Sequence, residues 1–197
     1  ELDVTGIAHG GISVARHEGR VVFVSDAVPG ERVVARVTED RKKSFWRADT
    51  VSVVTPSEHR VEHVWAEAAL DRDPAERAGG AEFGHIALPH QRTLKHDVLV
   101  DAFARFARTD LTEVLGHDVV VEAAPGDDAA GGLGWRTRVR LHVAEDGTAG
   151  PFAARSHSVV PVTSLPLAAQ VVQDAAPLAR GAMPGAEVVD VIAPRGA

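Results

Sequence analysis

Three arginines alternate with apolar residues in Gly134-Trp135-Arg136-Thr137-Arg138-Val139-Arg140-Leu141. In an extended strand, Arg136, Arg138 and Arg140 share one face with His142. Trp135, Thr137, Val139, Leu141 and Val143 share the other. The second set can pack on a core. The first is a row of fixed charge about 6.5–7 Å apart at strand rise. That is close to the roughly 6–7 Å between phosphates of an extended nucleic-acid strand. The row has a plainer reading, a solvated face paired with acids on a neighbouring strand. The acids that precede it in sequence, Glu122 and Asp127-Asp128, lie on or before a loop, which favours an anion-facing row. Arginines used in this way contact phosphates and set affinity rather than base preference. The turn Asp146-Gly147 predicts a hairpin returning through Ala149–Ser156. That return is expected to bring Arg155 and His157 near the start of the arginine strand.

A second cluster has Arg41, Lys42, Lys43 and Arg47 around Phe45 and Trp46. Cations interleaved with aromatic rings suit single-stranded RNA, where the cations meet phosphates and the rings stack bases. A hairpin loop with Trp46 anchored in a core would use the same residues. His59 and His63 have the i, i+4 spacing of metal ligands on a helix. No third ligand is evident, and a zinc site is not expected.

Composition narrows the classes. The chain has 197 residues, with 45% hydrophobic and 25% charged residues, as in a folded globular protein of one or two domains. There is no apolar run long enough for a membrane span, and the start shows no basic-then-apolar leader. The absence of cysteine excludes disulfides, thiolate metal sites and a cysteine nucleophile within this segment, and is compatible with the cytoplasm. The net charge of −7 argues against an indiscriminate polyanion binder. Residues 1–56 are neutral, with 8 basic and 8 acidic side chains, so residues 57–197 carry the whole excess. Any nucleic-acid surface is therefore a local patch on an acidic body.

The elements that would position these groups fall into two parts. Residues 1–56 contain five strand signals: Leu2–Ala8, Ile12–Arg16, Val21–Val24, Glu31–Thr38 and Phe45–Val54. Turns at His9-Gly10-Gly11, Glu18-Gly19 and Pro29-Gly30 separate them. Five short strands in this length predict an N-terminal all-β, OB-like barrel. Residues 57–197 read as an α+β domain around an antiparallel sheet. Residues 57–89 are a connection, with a tight backbone feature at Ala78-Gly79-Gly80-Ala81-Glu82-Phe83-Gly84-His85-Ile86. A helix over His90–Arg108 carries a stripe of Leu94, Val98, Leu99, Ala102, Phe103 and Phe106, read as core. Strands are expected at Val119–Ala124, at the arginine segment and at Val188–Ile192. A helix is expected from Ser164-Leu165-Pro166 toward Arg180, ended or kinked by Pro177.

Residues 1–56 resemble a TRAM domain, an RNA-binding OB-like barrel. The resemblance rests on Gly6-Ile7-Ala8-His9-Gly10-Gly11, Gly19-Arg20-Val21-Val22-Phe23-Val24 and Val28-Pro29-Gly30-Glu31. Three further pieces follow: Ala78-Gly79-Gly80-Ala81 with His85-Ile86 and Gln91; the arginine segment; and Ser156-His157-Ser158-Val159-Val160-Pro161-Val162 leading to Leu165-Pro166-Leu167. In this order they resemble the RNA uracil-5-methyltransferase family. The resemblance implies a TRAM barrel, a central α+β domain and a C-terminal Rossmann-like methyltransferase domain, of which this chain would hold the first two. S-adenosylmethionine, the nucleophilic cysteine and the general base would belong to the third, so no catalytic residue is expected here. The implied partners are a structured rRNA or tRNA and the C-terminal domain of the same parent chain. Many members hold an iron–sulfur cluster through a Cys-Gly-Gly-Cys and a later Cys-Pro. Ala78, Ala81 and Leu165 replace those cysteines, which excludes a cluster held that way. A stand-alone RNA-binding module is the alternative reading.

Overall fold

The protein is described by a computed structural model over residues 1–42 and 44–194. Lys43, one of the expected RNA contacts, lies outside the described residues. The chain divides into two compact units, Glu1–Val61 with His85–Pro125, and Glu62–Gly84 with Gly126–Ala197.

The first unit is built on five strands: β1 (Leu2–Ala8), β2 (Ile12–His17), β3 (Arg20–Ser25), β4 (Arg32–Glu39) and β5 (Phe45–Thr55). They close into a barrel, as five short strands in this length predict, in the order β1-β2-β3-β5-β4. Pairing of Leu2 with Val33 closes the ring, and β3 runs parallel to β5. Alternate residues point inward, so Leu2, Val4, Ala15, Val22, Val24, Val33 and Ala48 form one core.

One buried ion pair organises the barrel's end. Glu31 is 1% exposed. Its carboxylate accepts hydrogen bonds from the backbone N–H of Val28 at 2.9 Å and of Ser57 at 3.2 Å. Arg60 donates to the same carboxylate at 2.6 and 2.8 Å, and to the Asp26 carbonyl at 2.8 Å. Every oxygen of the buried acid is thereby satisfied, the condition under which such a pair is tolerated. Burial pushes the Glu31 carboxyl up, but the bonds from Arg60, Val28 and Ser57 outweigh it and hold it below the usual range.

Helix α1 (Leu88–Ala102) begins with Pro89 in its first turn, where no N–H is missed, and continues as a π-type turn over Phe103–Ala107. The expected core stripe is not a core. Leu94 is buried, but Leu99 is exposed and Phe106 is 87% exposed. The helix is anchored to β1, and Leu94 is its single buried residue. A left-handed residue at Arg108 ends the run before α2 (Leu111–Leu115). Val119–Ala124, expected as a strand, is irregular, with Val120 71% exposed.

The second unit holds β6 (Arg138–Val143), β7 (Ala149–Gly150), α3 (Gln170–Ala175) and β8 (Val188–Ile192). The sheet order is β7-β6-β8, and both pairings are antiparallel. The Asp146-Gly147 hairpin forms, with the Asp146 carboxylate accepting from Thr148 N–H at 2.9 Å. Its return pairs with β6 for two residues only, after which the Pro151 carbonyl accepts from the Val160 N–H at 2.9 Å instead. The helix expected from Ser164 starts at Gln170 instead. Residues 165–168 form a turn, closed by the Ala168 N–H on the Leu165 carbonyl, and backbone bonds tie residues 166, 167 and 169 to Gly134 and Arg136. The helix stops before Pro177, as expected from the restriction on the preceding residue.

Arg60→Ala leaves the buried Glu31 charge uncompensated and is expected to destabilise the first unit by about 3–5 kcal/mol, measured by denaturant melts. The pair's contribution also sets a pH dependence. Because the folded pKa of Glu31 is depressed, the stabilisation is complete above the ordinary glutamate value of about 4.3 and is lost as pH falls through the folded value. Glu31→Gln should flatten that acid limb of the melting curve. An unchanged limb would mean that other carboxylates carry it.

Candidate nucleic-acid interface

The parallel register of β3 and β5 sets Phe23 opposite Arg47 and Val22 opposite Trp46. Period two then sorts the side chains. Phe23, Phe45 and Arg47 face outward, while Trp46 shares the inward face with buried Ala48. The Phe23 and Phe45 rings meet edge to face at 5.3 Å. The Arg47 guanidinium lies 5.8 Å from the Phe23 centroid and 5.5 Å from that of Phe45, and Lys42 Nζ lies 4.9 Å from the Phe45 ring. Arg47 also pairs with Glu39 at 3.3 Å. This is a ladder of alternating cation and ring on the outer wall of the barrel. Arg41 and Lys42 are exposed beside it.

Trp46 is not the surface ring of this cluster. It packs against the barrel core. His17 lies 6.0 Å from it and the Arg20 guanidinium 4.9 Å. Phe23 is a member that sequence reasoning missed. The signal is available, because Val22 and Val24 are inward and Phe23 must then be outward.

On the second unit, the row of three arginines divides. Strand β6 begins at Arg138, and Arg136 lies before it. Backbone bonds to Leu167 and Ala169 at 2.8 Å hold Arg136, and its guanidinium donates to the Gly80 carbonyl at 2.6 Å. Arg138 and Arg140 remain on the outer face of β6 with His142. Their partner is Asp190 on β8, directly opposite Arg140 in register. Arg140 donates to it at 3.1 and 2.9 Å and Arg138 at 3.1 Å. Hydrogen bonds from Arg140 and then Arg138 hold the Asp190 carboxyl at about 2. The partner acid thus comes from fifty residues downstream. Two guanidiniums share one carboxylate, so the face keeps a net positive charge.

The hairpin return meets β6 at its far end rather than its start. Phe152 stacks on His142 at 3.5 Å, and His157 meets Phe152 edge-on at 5.4 Å. Arg155 is exposed in a left-handed conformation. Trp135, which the alternation puts on the core side, is 60% exposed, because the chain turns at Gly134 before the strand begins.

The positions that the resemblance assigns to cluster cysteines converge. Ala78, Ala81 and Leu165 lie in one hydrophobic core with Trp65 and Leu141. None of the three can ligate a metal, so the residues do not fit an iron–sulfur cluster. The glycines between them have a packing reason. A Cβ on Gly79 would sit 3.0 Å from the Phe152 carbonyl oxygen and 3.2 Å from the Ala154 backbone, and Gly80 has φ +95°. His59 and His63 do not act as a pair. His59 stacks on His90 at 3.7 Å, whereas His63 accepts from the Trp65 N–H at 3.0 Å. Among the described residues no cluster of three or more metal-ligating side chains occurs, and no helix is long and apolar enough to cross a membrane.

The class of the first unit follows from its barrel, and residues 1–45 match the TRAM domain. Relatives extend the match over the whole chain. The chain is 38% identical over its full length to an uncharacterized RNA methyltransferase of Streptomyces coelicolor, spanning 42% of that protein. It is 34% identical over its full length to one from Bifidobacterium longum, spanning 45% of it. Over 88% of its length it is 32% identical to the 23S rRNA (uracil(1939)-C(5))-methyltransferase RlmD of Shewanella baltica, covering 36% of that enzyme. The chain therefore spans less than half the length of the relatives it matches.

Two measurements check the site geometry. In NMR titrations Asp190 should lose its proton at about pH 2. In Arg140→Ala its pKa should move back toward the usual aspartate value of about 3.9, and an ordinary value in the wild type would contradict the shared pair. Elemental analysis of protein purified without chelator should find neither iron nor zinc in stoichiometric amount. Stoichiometric metal would require ligands other than those described.

Proposed function

We infer that this chain is the RNA-recognition portion of an S-adenosylmethionine-dependent RNA uridine C5-methyltransferase acting on a structured rRNA or tRNA in the cytoplasm. The observation that carries the reading is the match along the chain to RNA methyltransferases, one of them named for a uracil C5 activity, joined to a TRAM domain. On this reading the division of labour runs between residues 1–56, an RNA-binding barrel, and residues 57–197, a central domain that holds structured RNA. The methyl donor and the chemistry belong to a C-terminal domain of the parent chain, and no step of methyl transfer is assigned to residues here. Holding RNA in this way would let a target uridine leave its stack and reach a catalytic pocket.

The barrel's contribution is the ladder of Lys42, Phe45, Arg47 and Phe23, with Arg41 and Lys43 next to Lys42 in sequence. Trp46 acts by fixing the inner side of β5 beneath it. The central domain's contribution is the outer face of β6, where Arg138 and Arg140 are held by Asp190 and flanked by His142, Phe152, His157 and Arg155. Arg136 acts through position. Such a patch on a chain of net charge −7 binds where phosphates fit it and repels RNA elsewhere.

The test is RNA binding across a salt series. Arg138→Ala and Arg140→Ala should each weaken binding and lower the magnitude of the log–log salt slope by about 0.7–0.9 for each phosphate the guanidinium neutralises. Affinity and slope that stay at wild-type values while the melting temperature falls would show that the arginines serve only as partners of Asp190.

A further inference from the structure

A cleft of about 550 Å³ opens on the second unit beside the start of β6. Its volume lies in the range of sites that take one small molecule, about 300–1,000 Å³. Trp65, Leu165 and Pro166 give it apolar walls, while Trp135, Arg138 and Arg140 give it an aromatic and a cationic side. Trp135 is the unusual member. An indole 60% exposed at the edge of a cleft leaves most of a large apolar ring in water.

The indole is nonetheless held in place. The Arg136 guanidinium lies 4.9 Å from its centroid, and that guanidinium is tied to the Gly80 carbonyl at 2.6 Å. The Arg136 backbone is bonded on both sides, to Leu167 and Ala169. A ring positioned by a pinned cation needs little reordering to receive a second flat group. Trp65 adds a polar requirement, because its buried indole N–H has no acceptor among the described residues.

We propose that this cleft takes one unpaired nucleotide of the RNA, with its base stacked on Trp135 and its phosphate on the side of Arg138 and Arg140. The proposal rests on the RNA-binding reading and adds to it. The central domain distinguishes an unstacked base from a duplex, because only an unpaired base can offer both its π-face to the indole and its phosphate to the strand. Base stacking on an aromatic side chain tolerates any base, so the cleft selects single-strandedness rather than sequence.

The experiment measures binding of a short oligouridine and of an RNA duplex of equal length at low salt, with the full chain and its variants. Trp135→Ala should weaken oligouridine binding by about 5- to 150-fold, the equilibrium equivalent of one stacked base. It should leave duplex binding and the salt slope unchanged. Trp135→Phe should retain most of the affinity. Oligouridine should also quench tryptophan emission in the wild type and not in Trp135→Ala, a readout that a purely structural role would not move. Should Trp135→Ala unfold, the Phe variant and the quenching decide. Wild-type binding of oligouridine that Trp135→Ala retains in full would overturn the cleft while leaving the RNA reading intact. A wild-type chain that binds neither probe would remove the RNA reading, and the cleft proposal with it.

Discussion

The buried pair of Glu31 and Arg60 is the constraint on which the first unit depends. A carboxylate taken out of water costs several kcal/mol unless its lone pairs are all used. Here they are used by one guanidinium and two backbone N–H groups, from Val28 and Ser57. Those donors come from the turn before β4 and from the segment after β5. The Gly30 N–H and Glu31 carbonyl also bond the Val4 backbone of β1. One acid thus ties three parts of the chain at the end of the barrel. With that end closed, the inward faces of β3 and β5 are filled and their outward faces hold Phe23, Phe45 and Arg47 in register.

Both surfaces follow one electrostatic rule. The chain is acidic overall, and the cations on these two surfaces are held by fewer acids than they could engage. Arg47 has Glu39 and two rings. Arg138 and Arg140 share Asp190. The acid prevents the self-repulsion of a bare arginine pair and fixes both guanidiniums in one orientation, so less side-chain entropy would be lost on binding the proposed phosphate. It leaves one positive charge over. Exposed pairs of this kind contribute little to stability, so their value lies in orientation.

The barrel is legible in the sequence because its strands alternate and its turns carry glycine. All five begin and end within a residue or two of the expected positions, and β8 coincides with Val188–Ile192. Partners distant in sequence are not legible. Asp190 can be paired with Arg140 only once β8 is known to lie beside β6, and without it the arginine face looks uncompensated. Which of Phe45 and Trp46 faces outward is not legible either, because a one-residue change of phase sends every strand side chain to the other face. The stripe on α1 has helical spacing, but spacing says nothing of whether a neighbour covers it. Phe106 and Leu99 remain exposed. Trp135 misleads for a local reason, since the strand starts three residues later than the alternation does.

On the proposed function, the outer wall of the barrel and the outer face of β6 touch RNA. Photocrosslinking of the chain to a structured rRNA or tRNA carrying 4-thiouridine, with peptide mapping by mass spectrometry, tests it most directly. Crosslinks are expected in the segments containing Phe23, Phe45 and Trp135, competed by unlabelled RNA. Crosslinks confined to the exposed apolar residues of α1 and α2, or distributed without preference over the acidic surface, would contradict it.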